Sequence, residues 1–173
     1  MFKVLLISTG GTIEKTYDEL AGVLANRVSV LDVMLGSLEL RGVAIERLSL
    51  MNKDSLEMTD GDHDQIATEV DARAAGVDGV VIVHGTDRLA VTGERIYERF
   101  RAIGGAPRPI VLTGAMRPYE MRRTDAVQNL TESLVAVQLL SPGVYVSMHN
   151  KVLAFPGVRK DAQQGTFGHS AAV

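Results

Sequence analysis

Gly79–Val83 reads Gly-Val-Val-Ile-Val, an apolar run in which polar and apolar residues do not alternate. A strand with one wet face alternates, whereas a run like this is buried on both faces, the signature of a parallel sheet covered by helices. Parallel neighbours need crossover connections of about a dozen residues or more. The chain supplies them. Phe2–Ser8, Val43–Met51, Pro109–Thr113 and Val144–Met148 read as four further strands. Between the strands, helical signals cover Ser29–Leu40, Asp60–Ala75, Leu89–Ile103 and Thr124–Leu140. Ser29 with Asp32 has capping-box spacing, Gly42 and Gly76 follow the first two helices as stops, and Thr124 caps the last. Ile96, Phe100 and Ile103 share one helical face, as do Val127, Leu130, Leu134 and Val137.

Five strands alternating with helices predict a single-domain, doubly wound α/β fold with a mainly parallel five-stranded sheet and right-handed crossovers. The flavodoxin-like strand order 2-1-3-4-5 sets the switch point between strands 1 and 3, where ligands bind outside the carboxyl ends. The segment from Gly11 to about Arg27 reads as a loop, and the small, polar tail from Gln163 is expected to fray.

Composition narrows the chemistry. A chain of 173 residues with 46% hydrophobic content is long enough for one self-sufficient core. With no cysteine, disulfides, thiol nucleophiles and thiolate metal sites are excluded. A net charge of −3 gives no nucleic-acid footprint. The apolar run Val4–Ile7 is too short for a signal segment or a membrane span, so no membrane partner and a cytoplasmic location are expected. The sequon Asn129-Leu130-Thr131 then carries no weight.

Four polar motifs each follow a strand: Thr9-Gly10-Gly11-Thr12-Ile13, Asp54-Ser55-Leu56-Glu57-Met58, His84-Gly85-Thr86-Asp87 and Thr113-Gly114-Ala115-Met116-Arg117-Pro118. Shared strand polarity delivers them to one edge, and with them the hydroxyls and carboxylates that acyl transfer requires. Each has a plainer reading. The glycine pair before Thr12 suits a phosphate-binding turn, although neither a Walker pattern nor G-x-G-x-x-G is present. Tyr17 is a proton acceptor or a loop aromatic. Asp87 binds an ammonium group or caps the next helix. Ser55 donates to a carboxylate or sits in an ordinary turn. His84 reads as a hydrogen-bonded strand-end histidine, with no second histidine at ligand spacing and therefore no metal site. Arg117, Arg122 and Arg123 form a loop that is solvated by default, and Lys160 alone is a surface lysine.

Together, Thr-Gly-Gly-Thr-Ile at 9–13 and His-Gly-Thr-Asp at 84–87 resemble the bacterial-type L-asparaginases that use a threonine nucleophile. Ala-Met-Arg-Pro at 115–118, with Asp125 and Asn129, fits the same pattern, and the resemblance runs from Met1 to about Lys160. It implies hydrolysis of L-asparagine without metal or cofactor. Thr12 is the implied nucleophile, with Thr86 the alternative, and Tyr17 the assisting tyrosine of a mobile loop. Thr86, Asp87 and Lys160 match the family's second catalytic group. Asp87 is implied to hold the substrate ammonium and Ser55 its carboxylate, with Gly11, the Thr86 N–H and the region of Ala115 lining the site.

The resemblance departs from the family in three ways. Family members are about twice this length, so the chain is expected to be the catalytic domain alone, over residues 1–173, with a homo-oligomer supplying what the second domain supplies elsewhere. Glu14, Asp18 and Glu57 are candidates for the missing acidic group. Leu56 stands where many members carry a polar substrate contact, and the loop leading to Tyr17 is short. Two other functions fit the same residues: an ammonia-releasing amidotransferase subunit, and a binding module for asparagine or aspartate without turnover.

Overall fold

A computed structural model of the chain describes residues 1–169. Its central sheet is built from β1 (Phe2–Gly10), β4 (Val43–Lys53), β5 (Gly79–Val83), β6 (Pro109–Thr113), β7 (Gly143–Met148) and β8 (Lys151–Ala154). The order is β4-β1-β5-β6-β7-β8. The first five are parallel and reproduce the predicted 2-1-3-4-5 order, while β8 adds an antiparallel edge strand. Every residue of β5 and β6 is buried, as their unbroken apolar sequences require.

Alternate residues of these strands feed two cores. Leu5, Ile7, Val80, Ile82, Ile110 and Leu112 face α2 (Asp60–Ala74) and α3 (Leu89–Arg101), packing on Ile66, Val70, Ile96 and Phe100. Val4, Leu6, Val81, Val83 and Val111 face α1 (Leu31–Gly36) and α4 (Ala126–Leu139), meeting Leu31, Met34, Leu130, Leu134 and Val137. Fully burying one such side chain contributes roughly 1.5–3 kcal/mol, so the two apolar layers hold the sheet and its edge rigid.

Several local expectations change. The Ser29–Asp32 capping box does not form, and α1 ends at Gly36 instead of Leu40. Ser29 donates its hydroxyl to Glu14, and the Asp32 carboxylate pairs with Arg47 on β4. A capping box does open α2, where the Thr59 hydroxyl accepts from Asp62 N–H and the Asp62 carboxylate from Thr59 N–H. Thr124 is not the N-cap of α4, a place taken by Asp125, but from one residue earlier its hydroxyl accepts the Ala126 N–H at 3.0 Å.

The segment read as a loop after Gly11 contains a hairpin of β2 (Thr16–Asp18) and β3 (Val23–Ala25). The tail from Gln163, read as frayed, supplies β10 (Thr166–His169), which pairs with the preceding β9 (Val158–Asp161) in a second hairpin. The rest of that tail lies outside the described residues. None of the described helices is long and apolar enough to cross a membrane.

Candidate active site

All four motifs leave the sheet at one edge. Ser8 is level with Ser49 on one side and Val83 on the other, and Val83 is level with Thr113. The chain segments beyond these residues are therefore neighbours. Glycines let them approach further than side chains would allow. A Cβ on Gly11 would lie 2.4 Å from both N and Cα of Gly85, and one on Gly114 would lie 2.3 Å from the His84 carbonyl oxygen. Gly11 also has φ +79°, a conformation that L side chains rarely adopt.

Thr12 opens a one-turn 3-10 helix directly after this contact. The Gly11 N–H donates to the Lys53 carbonyl at 2.8 Å, and the Asn26 side-chain amide donates to the Gly11 carbonyl at 2.8 Å. The backbone that presents Thr12 is thus fixed from two directions.

Thr86, one residue beyond Gly85, is buried, and Lys160 reaches it from β9 (Val158–Asp161). Lys160 Nζ donates to Thr86 Oγ1 at 2.9 Å and to Asp87 Oδ1 at 2.8 Å. Asp87 does not cap α3, whose first residues receive no side-chain cap. Its Oδ1 instead pairs with the lysine. With Lys160 on an acceptor lone pair of the Thr86 hydroxyl, the hydroxyl proton is directed elsewhere.

His84 supports this loop from inside the protein. Its Nδ1 lies 2.8 Å from the Gly85 carbonyl, and a carbonyl can only accept, so Nδ1 carries the proton. Burial lowers the His84 pKa to about 4, and the ring is neutral near pH 7. Its Nε2 then accepts from the Thr92 hydroxyl at 2.8 Å, and that hydroxyl accepts from His63 Nδ1 at 2.7 Å. A trans peptide directs C=O and N–H oppositely, so the Thr86 N–H points away from the His84 ring. The histidine's work is structural, as its sequence position suggested.

Ser55 is 1% exposed, and its Oγ has no hydrogen-bond partner among the described residues. Asp54 caps the turn by accepting the Leu56 N–H, so the serine is not needed for the turn itself. A buried hydroxyl without a partner costs about 1–3 kcal/mol, which a ligand group that accepts its proton would recover. Lys15 pairs with Asp54 at 2.5 Å, and this hydrogen bond is the main reason the Asp54 pKa lies below its ordinary value. Lys15, Asn26, Asp54 and Glu57 help line a cavity of about 300 Å³ between the β2–β3 hairpin and the end of β4.

On the opposite side Ala115 is fully buried, and its loop is held by Asp125. The Asp125 carboxylate accepts N–H groups from Met116 at 2.9 Å and Arg117 at 3.0 Å. Burial opposes ionisation of Asp125, but these donors and His149 outweigh it and hold the pKa below its ordinary value. The Asn129 side-chain amide adds bonds to the Gly114 carbonyl and to Asp125, both 2.9 Å.

The structure therefore gathers the segments carrying Gly11, Thr12, Ser55, Thr86, Asp87, Ala115 and Lys160 along one edge. Tyr17 stands apart. It is 61% exposed on β2, and no hydrogen bond joins its phenol to Thr12 or Thr86 among the described residues. Its backbone N–H donates to Glu120 at 2.6 Å. Of the three acidic candidates, Glu14 and Asp18 are buried against their own chain. Burial raises the Glu14 pKa, and Asp18 accepts from Leu20 and Ala21 and pairs with Arg27. Glu57 alone is exposed. Arg122 and Arg123 are exposed too, matching the solvated reading of their loop. His149, which contacts Asp125, went unrecognised in the sequence because nothing local marks it.

Comparison with known proteins identifies the family. The family model for the asparaginase N-terminal domain matches residues 3–168. An L-asparaginase of Thermococcus kodakarensis is 32% identical over 158 residues, covering 91% of this chain and 47% of the relative. A glutamyl-tRNA(Gln) amidotransferase component of Pyrobaculum aerophilum is 38% identical over 143 residues, covering 81% of this chain and 33% of the relative. The solved structure of the thermostable Thermococcus kodakarensis L-asparaginase superposes with a TM-score of 0.86 over 97% of this chain and 51% of that one. The chain spans about half the length of the asparaginases it matches and about a third of the amidotransferase component. With the family model spanning nearly all of it and the threonine motifs meeting at one sheet edge, the chain belongs to the asparaginase family, over that family's N-terminal domain.

Proposed function

We propose that the chain is an L-asparagine amidohydrolase that forms an acyl-enzyme on Thr12. The observation that carries this reading is the Lys160–Thr86–Asp87 group beside the Gly11–Thr12 turn. Thr12 Oγ bonds to the side-chain amide carbon while the carbonyl electron pair moves to oxygen. Collapse breaks the C–N bond, and the departing nitrogen takes the proton lost by Thr12, leaving as ammonia. Water then adds to the ester and the Thr12 O–C bond breaks, releasing L-aspartate.

Within this reading Asp87 holds the substrate ammonium and Ser55 the α-carboxylate. The Gly11 backbone approaches the substrate closely. The Thr86 N–H and the Ala115 backbone face the developing oxyanion, a type of donor worth roughly 3 kcal/mol each. Tyr17 would assist Thr12 only after the β2–β3 hairpin moves, and Thr86 remains the alternative nucleophile.

The amidotransferase reading draws on the similarity to the glutamyl-tRNA(Gln) amidotransferase component, and a preference for glutamine would favour it. Self-association belongs to the main reading. Tyr17, Leu20 and Val23 expose apolar side chains on the β2–β3 hairpin, and a second copy that covered them would also close the sheet edge. Light scattering across a dilution series tests that part, and a monomer with full activity at every concentration overturns it.

The chemical step is tested by acid-quenching a reaction with L-asparagine and mapping the modified peptide. An aspartyl ester on Thr12 is the expected result. An ester on Thr86 moves the nucleophile, and an acyl group on neither threonine refutes the mechanism.

A further inference from the structure

His149 occupies a left-handed backbone position that most side chains avoid, although Asn, Asp and His adopt it more often than the rest. With Asn150 it forms the two-residue turn joining β7 to β8, and both residues have positive φ, 54° and 59°. Turns of this kind favour Asn-Gly, because a side chain in the left-handed region costs about 1–2 kcal/mol in most residues. A histidine kept there invites the question of what its ring does.

The ring bridges two parts of the candidate site. Its Nε2 lies 2.7 Å from Asp125 Oδ2, a carboxylate oxygen that also accepts the Met116 N–H and the Asn129 amide. Its Nδ1 lies 3.4 Å from Thr166 Oγ1 on β10, a longer and weaker contact. Thr166 precedes Phe167, the register partner of Lys160 in the β9–β10 hairpin. The His149 backbone N–H is held as well, donating to Asn129 Oδ1 at 3.0 Å. Asp125 can only accept, so Nε2 carries a proton, and in the neutral ring Nδ1 is left to accept from Thr166. One side chain therefore links the carboxylate that fixes the Ala115–Arg117 loop to the hairpin that delivers Lys160 to Thr86.

We propose that His149 is a positioning residue that sets the Ala115–Arg117 loop against the Lys160 hairpin through its ring contacts with Asp125 and Thr166. The inference rests on the asparaginase reading for its kinetic consequence, but not for its structural one. Displacing reacting groups by about 1 Å can cost up to about a hundredfold in rate. Ser55 lies on a segment that neither ring contact reaches, while Asp87 shares Lys160 with Thr86, so kcat should fall by more than KM rises.

Three variants separate positioning from simple stability. His149→Asn suits the turn, keeps the Thr166 side within reach and withdraws the donor from Asp125. His149→Gly removes both contacts and relieves the strained φ. His149→Gln extends an amide N–H to where Nε2 stands. The expected result is a kcat at least about tenfold lower in Asn and Gly, a smaller change in KM, and partial recovery in Gln. Melting temperature should be unchanged or higher in Gly.

Hydrogen exchange supplies a readout that does not depend on turnover. The Met116 and Arg117 amides should exchange faster in Asn and Gly than in wild type or Gln. Wild-type kcat with wild-type exchange in His149→Asn overturns the proposal, as does a kcat that merely follows the melting temperature. If wild type releases no ammonia while the amides still respond, the asparaginase reading fails and the positioning role stands.

Discussion

Lys160 Nζ sits 2.9 Å from Thr86 Oγ1, although 74 residues separate them in the sequence. The contact exists because β9 folds back over the carboxyl edge of the sheet, next to the point where β5 ends. Removing the ammonium should leave the fold intact and disable the site. Lys160→Met retains the aliphatic stem and Thr86→Val retains the shape. Each is expected to lower kcat by at least about a hundredfold with an unchanged circular dichroism spectrum. If the two defects multiply in the double variant, the residues act separately; a double variant no worse than either single one fits a unit.

Gly85 and Ser55 are packed against each other where their two loops meet. A Cβ on Gly85 would fall 2.5 Å from Ser55 Oγ and 2.6 Å from Ser55 Cβ. Gly85→Ala is therefore expected to push Ser55 aside, destabilise the chain by about 1–3 kcal/mol and raise KM about tenfold or more. Urea unfolding and steady-state kinetics check the two halves. An unchanged KM would remove Ser55 from the substrate's path.

The sequence made the parallel sheet legible because its evidence is local and repeated. Val80–Val83 and Ile110–Leu112 are apolar without interruption, and each is followed by a helix of the right length. The capping boxes show where local evidence fails. Ser29–Asp32 and Thr59–Asp62 have the same spacing, but only the second forms. Asp32 is drawn to Arg47 and Ser29 to Glu14, partners that local spacing does not reveal. The hairpins β2–β3 and β9–β10 were missed for a related reason. Their strands are three or four residues long and are held by pairing to each other, without a periodic apolar face. The motif threonines are readable as a set, while the place of Lys160 depends on the second hairpin, which brings it to Thr86.

Acid should loosen the fold in a defined window. Burial depresses the His84 pKa from 6.5 to about 4, and burial followed by the charges of Arg88 and Arg95 lowers that of His63. The unfolded chain then binds protons that the native chain refuses. Stability is complete above about pH 6.5 and falls as pH drops toward 4, with a slope of at most about 1.4 kcal/mol per pH unit for each group. Urea titrations at several pH values should give this slope, and His84→Asn should reduce it. An undiminished slope in that variant contradicts the assignment.

Substrate length should matter. Leu56 follows Ser55, is 64% exposed, and offers no polar contact to a longer side chain. Asparagine is expected to exceed glutamine in kcat/KM by about 10–200-fold, the range one methylene supports. Leu56→Gln should narrow the gap. Equal values for the two amides in wild type would contradict this and favour the amidotransferase reading.

Ammonia release by the purified chain with L-asparagine tests the account most directly. Turnover that yields equal amounts of aspartate and ammonia, and that Thr12→Ala reduces by orders of magnitude, is the predicted result. A folded chain that binds aspartate but releases no ammonia from asparagine at any protein concentration would contradict it, and would make the threonine edge a binding site without catalysis.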